Sequence, residues 1–257
     1  MQSLQCLNCE SPIEGKFCSN CGQKTDTHQI TLKHFLFHDI IHGVWHLDKG
    51  ILFTLKQALL RPGKAALDYI AGKRVGYYNI FYLILILIGL GIFIDSIYMS
   101  SLGKYVSFVE PDTEIYDQAA EKSYELMSTY IKFFLLLSIP AYALNSYILF
   151  NKKRLLYSEH LIIFGMFLTG IIIIFLLESL LKFAEFAESI AFLATFSFYL
   201  TPILSLIYIV NGLYGAFGKD YSKARFAFRT FLYITLFVAE IKLASFAVQY
   251  YLKHYYL

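Results

Sequence analysis

Long apolar runs separated by short charged breaks fill the chain after Gly72, whereas the residues before it mix cations, histidines and cysteines with shorter apolar stretches. From Gly72 to Gly91 the chain reads GKRVGYYNIFYLILILIGLG: two cations, two tyrosines, then an almost unbroken apolar run through Ile94. About 20 apolar residues at about 1.5 Å each span a hydrocarbon core about 30 Å thick. Tyr77 and Tyr78 are expected at headgroup level, lengthening this first span. Further runs predict spans near Tyr130 to Phe150, Leu161 to Leu181, Ile190 to Tyr214 and Phe231 to Leu252. The breaks are acidic from Asp95 to Thr129, basic at Asn151-Lys152-Lys153-Arg154, acidic on balance from Lys182 to Ser189, and basic through Lys219, Lys223, Arg225 and Arg229. Placing every cation-rich segment in the cytosol gives one consistent answer: five spans, N-terminus inside, C-terminus periplasmic. Lys253 and His254 oppose it weakly.

Ahead of the first span, Ile30 to Trp45 has apolar residues at helical spacing, with Thr31 as its N-cap. His34, His38, His42 and His46 recur every fourth residue, and each step drifts by about 40° around a helix. His38, Asp39 and His42 offer a metal edge. Without a complete ligand set such as HExxH, the stripe reads instead as the polar rim of an interfacial helix carrying Phe35, Ile40, Ile41 and Trp45. Asp48 opens a second helix, KGILFTLKQALL, which stops at Arg61-Pro62 because proline disfavours helix in its predecessor. Pro62 starts a third, GKAALDYIAG, with Gly72 as its C-cap candidate. Lys49, Lys56, Arg61, Lys64, Lys73 and Arg74 face only Asp68, so these helices are expected in the inner headgroup layer, against anionic lipid.

Composition agrees with a membrane protein. The 257 residues are 57% hydrophobic and 18% aromatic, with a mean hydropathy of +0.54. A net charge of +3 gives no argument for nucleic acid. The start, MQSLQCLNCE, lacks the cationic and apolar regions of a secretory signal, so the N-terminus is expected in the cytosol.

All four cysteines lie in the first 21 residues, as Cys6-x-x-Cys9, eight intervening residues, and Cys18-x-x-Cys21. Two such pairs bring four thiolates to one ion, a closed structural zinc site with no position left for a catalytic water. Gly22 can supply the positive φ that the second turn needs. So short a segment has no core of its own, and zinc binding would be its folding energy. Two disulfides or a redox pair are the alternatives, and reduced cytosolic thiols disfavour them.

Charged and amide side chains inside spans mark functional or bundle-locking positions. Glu240 and Lys242 fall near the middle of the fifth span but point about 160° apart, so each needs another partner. Asn145, Glu178 and Asn211 are the candidates. Pro140 and Pro202 weaken spans two and four and leave backbone groups open. Glu159 and His160 are adjacent, so they diverge by about 100°; Glu159 is expected to cap the third span's N-terminus.

The strings CLNC…FCSNCGQK, LDKGILFTLKQALLRPGKAALDYIAGKRVGYYN and YSEHL at Tyr157 to Leu161 resemble, along the whole chain, a family of Bacteroidota membrane proteins catalogued as domain of unknown function 3667. The RPG…YI-GKR segment is the most specific part. The resemblance implies a cytosolic zinc ribbon joined to a helical membrane domain, with no established activity. The expected fold is therefore all-α integral membrane: a zinc ribbon at 1–25, amphipathic basic juxtamembrane helices at 26–77, and a five-helix transmembrane bundle at 78–257. The expected setting is the bacterial inner membrane, with a protein partner or a second copy of the chain and no nucleic acid. Two functions follow: a non-enzymatic scaffold or accessory subunit, or a small transporter or lipid-handling protein using Glu240, Lys242 and the Glu159-His160 pair. An enzyme is the weakest option.

Overall fold

A computed structural model of the chain describes residues 5–25, 50–109 and 138–255; the histidine stripe, its helix, and the acidic stretch from Glu110 to Thr129 lie outside the described residues. The described part after residue 50 is helical: α1 (Gly50–Leu60), α2 (Pro62–Ile70), α3 (Ile80–Val109), α4 (138–149), α5 (Tyr157–Lys182), α6 (Phe192–Phe217) and α7 (Lys223–Tyr255). Three stretches, Ile80–Gly103, Tyr157–Phe186 and Phe192–Asp220, are long and apolar enough to cross a membrane. This is a helical membrane-type protein.

The centre of the molecule is α5. Its first half, LIIFGMFLTGII, is apolar on every side, and a helix of that kind must be surrounded by protein or lipid. Here protein surrounds it: Ser158 through Ile172 are all buried. On one side α3 runs parallel to it, with Ile80 and Ile84 over Gly165, Leu176 beside Gly91, and Ser179 donating to Asp95 at 3.3 Å. α4 runs antiparallel, pairing Tyr142 with Phe164 and Tyr147 with Tyr157. α6 is also antiparallel, with Tyr208 against Gly170, Phe167 against Gly212, and Phe217 stacked on His160. α7 returns along α4 through Tyr233 beside Phe150 and Phe237 beside Tyr142. Successive long elements therefore alternate in direction.

α1 and α2 form a hairpin wedged against the first half of α5 and the second half of α6. Pro62 creates this hairpin. It occupies the first position of α2, and having no N–H it leaves the Ala58 carbonyl without its helical donor. The Tyr208 hydroxyl donates to that carbonyl at 2.7 Å, in space available because residue 170 is glycine. A Cβ on Gly63 would lie 2.1 Å from the Gly212 carbonyl oxygen, so only glycine lets α2 touch the α6 backbone. At the far end of α2, Gly72 (φ +94) donates to Tyr69 at 3.1 Å and Lys73 to Asp68 at 3.0 Å, the paired bonds of a Schellman stop. The charge pattern of α1 and α2 did not anticipate how much of their inner faces, Thr54, Gln57, Ala58, Ala65 and Ala66, is buried in the bundle.

Several expectations need correcting. α3 does not end near Ile94: it continues through Asp95 to Val109, and Asp95 is held by Ser179. Tyr78 is buried and Tyr77 sits between the Phe53 and Tyr69 rings, so both pack within the protein and not on its outer face. The prolines expected to weaken spans two and four lie inside helices, Pro202 within α6 and Pro140 in the first described turn of α4. At Pro140 the carbonyl accepts from Tyr157 at 2.9 Å.

Candidate functional site

Residues 5–25 fold as two copies of one turn, twelve residues apart. In the first, Cys6 donates to Ser11 and Glu10 donates back to Cys6; in the second, Cys18 donates to Gln23 and Gly22 donates back to Cys18. Bridges Gln5–Pro12 and Phe17–Lys24 close the two turns. The equivalent residues just after Cys9 and Cys21 both have positive φ, +62° at Glu10 and +74° at Gly22. Glycine supplies that angle without strain, and the glutamate carries it at a cost.

The turns bring the four thiols together. Cys6 and Cys21 sulfurs are 3.5 Å apart, Cys9 and Cys18 sulfurs 3.6 Å, and all four lie within 4.8 Å of one another. None is in a disulfide. Hydrogen bonds from Ser11, its side chain first and then its backbone, hold the Cys9 thiol down at about 6. At Cys21 the Gln23 backbone pulls the same way, but burial and the three neighbouring thiols outweigh it and push the group up to about 11. One sulfur thus ionises readily while another resists, the first because Ser11 bonds its thiolate and the second because burial and its thiol neighbours disfavour the charge. A cation at their centre would favour the thiolate form of all four, and these four cysteines can hold a metal ion.

This unit is mounted on the end of α2. Leu7, between the first two cysteines, covers Gly72: a Cβ there would lie 2.7 Å from its Cδ1. The buried Gln23 side chain accepts from the Arg74 backbone N–H at 3.2 Å. Arg74 turns its guanidinium back over the Tyr69 ring, 5.3 Å from the centroid, and toward the Tyr69 carbonyl. The hairpin, its Schellman stop and the start of α3 thus form one docking element, and the model of the family described as protein of unknown function (DUF3667) matches over residues 48–89. The segment is that of the DUF3667 family. No curated protein and no solved structure matches the chain.

Within and around the DUF3667 segment, the expected surface cations divide. Lys56 and Lys64 are exposed. Arg61 is also exposed but donates to Gln57 one turn earlier, and Lys73 faces Asp68 at 3.4 Å. Arg74 is drawn into the protein as described.

The intramembrane polar groups are brought together selectively. Asn145 Nδ2 donates to Glu240 Oε1 at 2.9 Å, tying α4 to α7. The other carboxylate oxygen, Oε2, is buried without a partner among the described residues. Lys242 is exposed on the other side of α7, and Asn211 is exposed on α6. Glu178 meets Lys182 on its own helix at 3.8 Å, so neither it nor Asn211 serves Glu240. Glu159 accepts from the Leu156 N–H at 2.7 Å, the expected cap of α5. His160, fully buried, bonds Ser146 through Nδ1 at 2.8 Å and leaves Nε2 without a partner among the described residues.

Three contacts escaped the sequence reading: Leu7 on Gly72, Gln23 on Arg74, and Tyr208 on Ala58. Only the last had a local signal. A proline at position 62 always orphans the carbonyl four residues earlier, so a donor from elsewhere was to be expected.

Proposed function

We propose that this chain is a non-enzymatic scaffold or accessory subunit of the bacterial inner membrane, whose zinc-loaded cysteine unit docks a protein partner. The observation that carries the reading is the rigid mounting of that unit. Leu7 and Gln23 fix it to the Gly72–Arg74 turn, and Gly63 and Tyr208 fix the hairpin to α5 and α6. A small metal unit locked to a membrane bundle presents its outer surface in a fixed orientation. That surface carries Phe17, 58% exposed, an apolar ring left out of the core.

Zinc is the metal the donor set favours. Four thiolates at about 2.3 Å from a tetrahedral ion lie about 3.8 Å apart. The observed separations of 3.5 and 3.6 Å, with all four sulfurs within 4.8 Å, fit such a zinc ribbon. When bound, zinc would supply folding energy and orientation, since four protein ligands close its shell. The five-helix bundle with cytosolic N-terminus draws support from the alternating directions of α3 to α7 and from the basic loops at one end. Pull-down of the full chain from native membranes tests the reading. A stoichiometric protein partner retained by the native chain and lost in Phe17→Ser supports it; a chain that is alone, monomeric and indifferent to Phe17 overturns it.

One observation favours a second reading, a small transporter or lipid-handling protein. Glu240 keeps a buried carboxylate oxygen without a partner among the described residues, the kind of group that binds a proton or cation in a membrane. Its bond to Asn145 supports the structural role instead. Glu240→Gln decides: loss of a transport activity with stability unchanged favours the second reading, and lower stability or partner retention favours the first.

A further inference from the structure

We propose that the two basic loops at one end of the bundle form a single binding platform for the phosphodiester headgroup of an anionic phospholipid. Loop charge by itself orients a membrane protein. The structure adds that these loops, more than sixty residues apart in sequence, are stapled together. Residues Asn151–Lys153 form one 3-10 turn and Gly218–Asp220 another. The Lys152 backbone N–H donates to the Tyr221 hydroxyl at 3.1 Å, and its ammonium donates to the Asp220 carbonyl at 2.8 Å. Lys153 pairs with the Asp220 carboxylate at 3.2 Å. Lys152 and Arg229 each stand 4.9 Å from the Tyr221 ring centroid, and Arg229 also donates to the Leu149 carbonyl.

These contacts occupy Lys152, Lys153, Arg229 and the one acid of the two loops, Asp220. Arg154, Lys219, Lys223 and Arg225 remain exposed, and no described residue gives them a carboxylate. Arg154 has φ +51°, a conformation in which the chain turns sharply after the two lysines. Four cations to which no described residue brings a counter-charge, on loops held close by a short set of contacts, favour an anion beside them.

Apolar side chains beside the cations point to a lipid as the source of that anion. Ile148 is 60% exposed, Tyr214 60% and Phe228 63%, each within a few residues of a free cation. A soluble phosphate has no use for such surface. A phospholipid fills both halves, headgroup on the cations and acyl chains along the exposed apolar side chains. The platform is separate from the cysteine unit and stands whether or not zinc binds there.

The test uses the full chain in nanodiscs of phosphatidylcholine with or without one-fifth phosphatidylglycerol, followed by extraction and native mass spectrometry. Retained phosphatidylglycerol and a higher melting temperature in its presence are expected. In the variant Arg154→Gln, Lys219→Gln, Lys223→Gln, Arg225→Gln, retention should fall by about tenfold or more, while Lys16→Gln, in the cysteine unit, leaves it unchanged. The charge-keeping variant Arg154→Lys, Arg225→Lys should retain the lipid, which separates loss of charge from loss of fold. If the fourfold variant does not fold, raising the salt on the native chain must release the lipid. Equal retention of phosphatidylcholine, equal protection by soluble glycerol phosphate, or lipid retention insensitive both to the fourfold variant and to salt would overturn the proposal.

Discussion

Residue by residue, the strongest chemistry lies in sulfur. Ser11 lowers the Cys9 thiol to about 6, whereas at Cys21 the Gln23 backbone is outweighed by burial and the neighbouring thiols, which raise it to about 11, so the four thiols are uneven. A divalent ion levels that difference by taking all four as thiolates. Metal analysis of the purified chain is expected to give about one zinc per molecule, falling to none in Cys18→Ser, Cys21→Ser. An ordered, metal-free N-terminus joined by disulfides would be the contrary result. The Asn145–Glu240 bond belongs to the same scale. Asn145→Ala leaves a partly buried carboxylate with neither oxygen bonded, and a loss of about 1–3 kcal/mol is expected in denaturant unfolding.

Among the elements, the α1–α2 hairpin decides how the DUF3667 segment meets the rest of the protein. Its tip is held by one hydroxyl and its flank by one glycine. Tyr208→Phe removes the donor to the Ala58 carbonyl while keeping the ring, so stability should drop by about 1–3 kcal/mol with the fold retained. Gly63→Leu is expected to do more, since even a Cβ there meets the α6 backbone, and no side-chain rotation relieves that overlap. Hydrogen exchange would read this as faster exchange in α1 and α2 with α5 to α6 contacts kept. Unchanged protection in Gly63→Leu would mean that the close approach of α2 to α6 is not what holds the hairpin.

The whole molecule alternates: α3 and α5 run one way, α4 and α6 the other, and α7 returns along α4. The basic loops at Lys153 and Lys219 therefore share an end, opposite the turn that holds Glu185 and Glu188. In intact spheroplasts a cysteine at Glu188 should react with an impermeant thiol reagent and one at Lys153 should not. Reversed labelling would invert the topology, and labelling at both would revise the number of spans.

Local composition was enough to mark the helical membrane class, the bounds of the α1–α2 hairpin and the cluster of four cysteines. Pro62 marks a helix start and Gly72 a stop because each restricts or frees the backbone at its own position. Two CxxC pairs specify four converging thiols for the same reason, since a knuckle is a local turn. The end of α3 was misread at Asp95 because a carboxylate breaks an apolar pattern whether or not a partner waits for it. Ser179 waits on another helix, and no window of sequence contains both. Asn145 was one of three candidates for Glu240, and only the packing of α4 on α7 selected it over Glu178 and Asn211. The same holds for Leu7 on Gly72 and Tyr208 on Ala58. Hydrophobicity and backbone preference are properties of a residue and its neighbours in the chain, so the sequence by itself determined the elements. Which buried polar group finds which partner depends on how those elements meet, and that was decided by tertiary structure alone.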